Sequence, residues 1–192
     1  MVTKKKILLI NNETHFIDDL MDVLRHYEIK LIDFQKIQPE QVQGFDAVIL
    51  SGGGTRGEVS EDQLLYKNEI QIVRDANIPI FGICEGFQVI GAAYNSDFAV
   101  LKSYRTGVNP IQVLADDPIF NGLEKFDLRV FEFHHIAITR QSNVLQSLAV
   151  SEDGIEVIKH KQKLIYGVQF HPEELKDGNN GHIILNNFLS MI

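Results

Sequence analysis

The chain has 192 residues, of which 44% are hydrophobic and 23% charged, as is usual for a soluble globular protein, and we expect a single domain over residues 1–192. A formal net charge of −8 disfavours binding to nucleic acids and to anionic membranes. No apolar run approaches the ~18 residues of a membrane-spanning helix. The apolar run Ile7–Ile10 is too short for a signal peptide, and a lone cysteine suits a reducing compartment, so we expect a cytoplasmic protein.

The first half of the chain alternates short apolar runs with segments of helical periodicity. Ile7–Ile10 is fully apolar, which is typical of a central parallel strand covered on both faces. The predicted elements are, in chain order, strand 7–10, helix 16–27, strands 29–34 and 45–50, helix 61–76, strand 79–83 and helix 85–94. This alternation predicts an α/β fold with a mostly parallel sheet.

The second half has strand character without long helices between the strands. Residues 108–114, 128–139, 155–160 and 164–170 predict additional, antiparallel strands, and residues 181–192 predict a closing amphipathic helix.

A possible nucleophile lies at the predicted junction of strand 79–83 and the next helix. The segment Gly82-Ile83-Cys84-Glu85-Gly86 has the spacing of a nucleophile elbow, in which a strained residue projects above the sheet. Glycines two residues to either side avoid clashes in so tight a turn. The N-terminus of the following helix favours the reactive thiolate, and the N–H of Glu85 points at any oxyanion. A buried, inert cysteine is the alternative interpretation.

A possible base follows a later strand, which ends in His171-Pro172-Glu173. A histidine at the C-terminal end of a strand lies where α/β proteins place their chemistry, and Glu173 can orient its imidazole by a hydrogen bond. A solvated strand end is the alternative.

A third candidate, Ser51-Gly52-Gly53-Gly54, follows strand 45–50 and offers backbone N–H groups to an oxyanion. The alternatives are a flexible loop or a phosphate-binding loop, although the Lys-Ser/Thr pair of a Walker motif is missing.

These three motifs, in this order, resemble the class I (triad-type) glutamine amidotransferases. The stretches that carry the resemblance are 48–54, 82–88, 166–173 and the closing helix at 181–189, and the likeness covers essentially the whole chain. It implies an open α/β sheet with helices on both faces, flavodoxin-like in arrangement.

The resemblance also implies a reaction. Cys84 attacks the amide carbon of glutamine, ammonia leaves and water hydrolyses the γ-glutamyl thioester, with His171 moving the proton and Glu173 orienting it. The backbone N–H groups of Gly53 and Glu85 form the oxyanion hole. No metal or other cofactor is implied for this reaction.

Substrate contacts are implied as well. Gln88 is expected to hold the α-amino and carboxylate end of glutamine. The segment His134-His135-Ile136 corresponds to a family loop whose backbone contacts the same end, although a packed or surface histidine pair is an alternative.

The chain departs from the family pattern at four places. Gly54 replaces a common proline, Phe87 replaces a histidine or methionine, and Asn95-Ser96 replaces a glycine pair. Glu85 follows the nucleophile where an apolar residue is usual, and its carboxylate is expected to oppose the thiolate by like-charge repulsion.

The chain is too short to include a synthase, so we expect a separate synthase subunit that uses the ammonia. Residues 116–122 and the closing helix most resemble the amidotransferase subunit of GMP synthase, and residues 151–156 are similar to subunits that serve anthranilate or aminodeoxychorismate synthase. Two alternatives stay open: a stand-alone hydrolase of γ-glutamyl compounds, and a catalytically silent glutamine-binding regulator.

Overall fold

A computed structural model describes residues 4–53, 59–60, 62–124 and 126–192. In these parts of the chain ten strands form one mixed sheet. The strands are β1 (Lys6–Asn11), β2 (Glu28–Asp33), β3 (Ala47–Leu50), β4 (Ile80–Ile83), β5 (Asp97–Pro110), β6 (Gln112–Val113), β7 (Arg129–Arg140), β8 (Leu145–Val150), β9 (Ile155–His160) and β10 (Ile165–Val168).

The helices are α1 (Ile17–Val23), α2 (Lys67–Asp75), α3 (Glu85–Ala93) and α4 (Gly181–Met191), with short 3-10 turns at Pro39–Val42 and Pro118–Phe120. Among the described residues no helix is both long and apolar enough to cross a membrane.

The sheet has the order β2-β1-β3-β4-β10-β9-β7-β5, with β6 paired to β8 and β8 to β9. Strands β2, β1, β3, β4 and β10 are mutually parallel. The remaining pairs are antiparallel. This confirms the predicted α/β fold with antiparallel strands added in the second half.

Helices cover both faces of the sheet because successive side chains of a strand point to opposite sides. Ile7 and Leu9 of β1 pack in one apolar cluster with residues of α1 and α4. Leu8 and Ile10 pack in the other cluster with residues of α2 and α3. The burial of β1, β3, β4 and β10 between these layers explains why their sequences are almost continuously apolar.

Some element bounds differ from the prediction. Within the described residues, α2 begins at Lys67 instead of near residue 61, because residues 62–66 form turns in which the Asp62 side chain accepts a hydrogen bond from Leu65 N. Helix α1 ends at Val23 instead of Tyr27. Strand β5 already begins at Asp97, and β8 was not predicted.

Candidate active site

Cys84 is the single residue between β4 and α3, and its backbone is strained. Its φ of 49° and ψ of −100° lie in a region that residues with a side chain rarely adopt. Two backbone hydrogen bonds hold this conformation: Cys84 N donates to the carbonyl of Val168 at 2.8 Å, and Gln88 N donates to the carbonyl of Cys84 at 3.1 Å. The strained turn agrees with the elbow that the sequence predicts.

The two glycines of the elbow are required by close backbone packing. A Cβ atom at Gly82 would overlap the carbonyl of Gly86, and one at Gly86 would overlap the carbonyl of Leu50. The Gly86 N–H also donates to the carbonyl of Ser51 at 3.1 Å. Helix α3 therefore starts in contact with the ends of both β3 and β4, and a side chain at either glycine would push it away.

His171 and Glu173 follow β10 and form a buried pair. The imidazole Nδ1 lies 3.0 Å from Glu173 Oε1, and the side chains are 2% and 0% exposed. A carboxylate accepts a hydrogen bond, so Nδ1 carries the proton and Nε2 is left for other chemistry. The ring of Phe16 packs against the imidazole with centroids 4.7 Å apart, and His171 N donates to the carbonyl of Phe131 at 2.8 Å.

The sheet brings Cys84 and His171 together. β4 and β10 are neighbouring parallel strands with Ile83 opposite Val168, so their C-terminal ends open on the same edge. Burial alone lowers the pKa of His171, but the charges of Glu173 and Cys84, together with the hydrogen bond to Glu173, raise it above its usual value. The imidazolium is therefore favoured beside the sulfur.

Two further groups contact the sulfur. The side-chain amide of Gln169 donates towards Cys84 Sγ at 3.6 Å, and the sulfur lies 3.9 Å from the carbonyl oxygen of Phe133. Gln169 was not among the residues predicted from the sequence. The available signal was its position two residues before His171, which in extended backbone places both side chains on one face.

The glycine segment after β3 packs between the imidazole and α3. A Cβ atom at Gly52 would lie 2.8 Å from His171 Cε1, and one at Gly53 would lie 2.9 Å from Glu85 Cγ and 3.0 Å from the carbonyl oxygen of Asn12. Gly53, one of the two predicted oxyanion donors, thus packs against the side chain of Glu85, the other. Gly54, which replaces a common proline of the family, lies outside the described residues.

The carboxylate of Glu85 is occupied by hydrogen bonds. Its Oε1 accepts a hydrogen bond from Val59 N at 2.8 Å. Burial of Tyr66, the charge of Glu85 and a hydrogen bond to Glu85 all raise the pKa of the Tyr66 phenol. Glu85 thereby ties the segment after the glycine loop to the first turn of α3, which gives a structural reason for a carboxylate at this unusual place.

The other two departures have local explanations. Phe87 is fully buried and lies close to Gly167 of β10, where an added Cβ atom would be 3.0 Å from its ring. Asn95 takes the left-handed conformation, with φ of 60°, just after α3. Asparagine tolerates that conformation better than most residues, so it can replace a glycine here.

The four residues predicted to contact the substrate lie on two different elements. Gln88 is one turn after Cys84 in α3, and its Oε1 is buried without a hydrogen-bond partner among the described residues. His134, His135 and Ile136 belong to strand β7 and not to a loop. The side chain of His134 points to Glu132, and the ring of His135 packs at a tilt against Tyr104 with centroids 4.3 Å apart. Their substrate contacts stay a prediction.

Asn179 was likewise not predicted from the sequence. Its side-chain amide donates to the carbonyls of His171 and Glu174, while its Oδ1 accepts from Phe131 N at 3.2 Å and Gly181 N at 2.9 Å. This one side chain joins the His171–Glu173 turn to β7 and to α4. No local pattern marks such a residue, because its partners come from three separate segments.

Comparison with protein families decides the relationship. The model of the family described as "Glutamine amidotransferase class-I" matches residues 8–191. The chain belongs to this family. Class I glutamine amidotransferases similar to it include the glutamine-hydrolysing GMP synthase subunit of Methanothermobacter thermautotrophicus, 29% identical over 95% of both chains, and that of Methanococcus maripaludis, 30% identical over 95% of this chain and 94% of the relative.

A longer synthase and two solved structures are also similar to this chain. The aminodeoxychorismate synthase of Streptomyces griseus is 29% identical over 95% of this chain, which matches 25% of that longer protein. A Thermoplasma acidophilum protein assigned to the same GMP synthase subunit type shares the fold, with a TM-score of 0.87, 26% identity and coverage of 100% of this chain and 95% of its own. A glutamine amidotransferase of Thermotoga maritima, 18% identical with a TM-score of 0.73, shares the fold over 98% of this chain and 82% of its own.

Proposed function

We propose that the chain hydrolyses the side-chain amide of L-glutamine through a cysteinyl thioester and supplies the ammonia to a separate synthase subunit. The observation that carries the proposal is that Cys84 and the buried His171–Glu173 pair follow two adjacent parallel strands and lie at the same edge of the sheet. Family membership gives the substrate class.

In the first half of the reaction the sulfur of Cys84 attacks the amide carbon, and the carbonyl electrons move onto the oxygen. The N–H groups of Gly53 and Glu85 stabilise that oxyanion. The Nε2 proton of His171 passes to the amide nitrogen and the carbon–nitrogen bond breaks. Ammonia departs, and the γ-glutamyl group remains on Cys84 as a thioester. The raised pKa of His171 fits this role, since the imidazolium must be present when the leaving nitrogen needs a proton.

In the second half His171 accepts a proton from water, and the hydroxide attacks the thioester carbon. The carbon–sulfur bond breaks, glutamate leaves and the thiolate–imidazolium pair is restored. Glu173 keeps Nδ1 protonated throughout, and Gln169 donates to the sulfur as it regains negative charge. Gln88, with its unpartnered buried oxygen, is suited to accept a hydrogen bond from the α-amino group of the substrate.

A GMP-synthase-type partner is the first choice for the synthase subunit, because the similarity to the glutamine-hydrolysing chains of GMP synthase covers nearly the full length of both proteins. The aminodeoxychorismate type is second, since this chain matches only part of that synthase. Exposed aromatic rings at Tyr104 and Phe133 support a partner surface here, because the Phe133 carbonyl lies beside the sulfur.

Replacing the nucleophile tests the chemistry. We expect Cys84→Ala to remove glutamate and ammonia formation while the circular dichroism spectrum and Tm stay close to those of the wild type. A chloroketone analogue of glutamine should alkylate Cys84 in the wild type and leave Cys84→Ala unlabelled. Ammonia release by Cys84→Ala at the wild-type rate would refute the proposed nucleophile.

The partner is tested by adding the purified synthase subunit of GMP synthase from the same organism. We expect glutamine-dependent GMP formation and an increase in glutamine hydrolysis in the mixture, and neither with Cys84→Ala, although added ammonium should still support GMP formation there. Fast turnover of γ-glutamyl peptides without any partner would favour the stand-alone hydrolase. Glutamine binding with no ammonia release under either condition would favour the regulator.

A further inference from the structure

A second group of buried ionisable side chains lies between β7 and β9. Glu132 and His134 of β7 and Glu156 of β9, called here the Glu132 cluster, are 0%, 4% and 1% exposed. One ligand-type atom from each residue lies within 4.8 Å of the other two. The reaction proposed for Cys84 uses neither glutamate.

The hydrogen bonds of His134 fix which ring nitrogen faces the cluster. Nδ1 lies 3.0 Å from the carbonyl oxygen of Ile136, which can only accept, so Nδ1 carries a hydrogen. In the neutral ring Nε2 is then a lone-pair atom, and it faces Glu132 Oε2 at 3.4 Å. Two acceptors at this distance repel each other unless a positive charge lies between or beside them.

Several acceptor atoms of the Glu132 cluster lack a donor. Among the described residues, neither carboxylate oxygen of Glu132, nor His134 Nε2, nor Glu156 Oε2 has a hydrogen-bond partner, although all are buried. The other oxygen of Glu156 accepts from Ser151 Oγ at 2.7 Å. Buried acceptors without donors are costly, so their convergence points to an additional positively charged ligand.

Arg105 of β5 supplies only part of the positive charge. Its Nε lies 3.3 Å from Glu132 Oε2 and also 3.3 Å from Asp153 Oδ2, and its Nη1 lies 2.7 Å from Glu152 Oε1. One guanidinium is therefore shared by three carboxylates.

We propose that Glu132, His134 and Glu156 bind a divalent transition-metal ion such as Zn²⁺. One imidazole nitrogen and two carboxylates form a ligand set that zinc accepts, with a fourth position for water. The supporting contacts are also of the expected kind, since the Ile136 carbonyl holds the second nitrogen of His134 and Ser151 holds Glu156.

The geometry requires a small closure on binding. Ligand atoms around tetrahedral zinc lie about 3.4 Å apart, so atoms that are up to 4.8 Å apart in the cluster must approach one another on binding. The pairing of β7 with β9 is limited to Ile138 opposite Ile155. A metal bound by residues of both strands would add a cross-link between β7 and β9 beyond that pair.

The experiment uses the Cys84→Ala variant, because a reactive thiolate binds zinc by itself. Metal-free Cys84→Ala is titrated with Zn²⁺ by calorimetry, and its Tm is measured with and without excess Zn²⁺. We expect one equivalent to bind and the Tm to rise by about 5 °C. In the same background, Glu132→Gln and Glu156→Gln should each weaken binding at least about 10-fold, whereas Glu124→Gln, an exposed acid, should leave it unchanged.

A further variant is expected to strengthen zinc binding instead of weakening it. Arg105→Gln removes the cation that competes for Glu132, so the affinity for Zn²⁺ should increase. Circular dichroism of each metal-free variant checks that it is folded. Absence of a stoichiometric zinc site in Cys84→Ala, or a site whose affinity is the same in Glu132→Gln and Glu156→Gln, would overturn the proposal and assign the missing charge to a proton.

Discussion

Glu69 gives a quantitative prediction about stability and pH. This residue of α2 is completely buried, and neither of its carboxylate oxygens has a hydrogen bond of good geometry within the described residues. Burial raises the pKa of Glu69 to about 8; the Asn12 side chain lowers it in part, and the charge of Glu85 raises it further. Glu69 is therefore protonated in the folded protein at neutral pH.

The sign of the effect follows from proton linkage. In the unfolded chain Glu69 ionises near pH 4.5, whereas the folded protein keeps the proton until about pH 8. Between these values the folded state binds more protons, so the free energy of unfolding falls as pH rises, by about 1.4 kcal/mol per pH unit. The total loss from this one group is about 5 kcal/mol above pH 8.

The variant Glu69→Gln keeps the shape and cannot ionise. We expect it to resemble the wild type near pH 4.5 and to be more stable by about 5 kcal/mol at pH 8.5, as measured by urea unfolding at half-unit pH steps. Glu156, whose pKa burial also raises to about 8, leaves a residual slope in the variant. The exposed Glu124→Gln serves as the matched control. Parallel pH curves for the wild type and Glu69→Gln would refute the assignment of a buried, protonated Glu69.

Two further predictions concern the proposed catalytic centre. Gly52→Ala introduces a Cβ atom 2.8 Å from His171 Cε1. Because this atom displaces the imidazole, we expect kcat to fall at least about 10-fold with little change in Tm. An unchanged kcat would show that the imidazole can move without loss of activity. Glu173→Gln removes the charge that raises the pKa of His171. His171 should therefore titrate at lower pH in an NMR experiment, and kcat should fall by about 100-fold or more. A His171 titration identical to that of the wild type would contradict the pairing of His171 with Glu173.

The parallel half of the fold could be predicted from sequence because its signals are local. Ile7–Ile10 and residues 79–83 are continuous apolar runs, and burial between two layers of helices produces that composition. The Cys84 elbow was also predictable, since its two glycines at fixed spacing are required by close backbone packing, Gly82 against Gly86 and Gly86 against Leu50 of β3. Residues whose function depends on their immediate chain neighbours leave a pattern in the sequence.

The antiparallel half was harder to predict. Strand β8, Leu145–Val150, mixes polar and apolar residues because much of it is only partly buried, and the beginning of β5 is likewise exposed or only partly buried. Gln169 and Asn179 act through partners that the fold brings from distant segments. The Glu132 cluster likewise depends on the placement of β7 beside β9, which no spacing in the sequence reveals.

Direct pairing of β4 with β10 has a consequence for control of the enzyme. The sulfur and the imidazole each follow the end of one of two adjacent, hydrogen-bonded strands, so the sheet ladder itself sets their separation. Breaking that alignment would require opening the most deeply covered part of the molecule. Under the proposed function, a synthase subunit that regulates glutamine turnover should therefore act on Gly53, the proposed oxyanion donor, while the thiol and the imidazole stay in place.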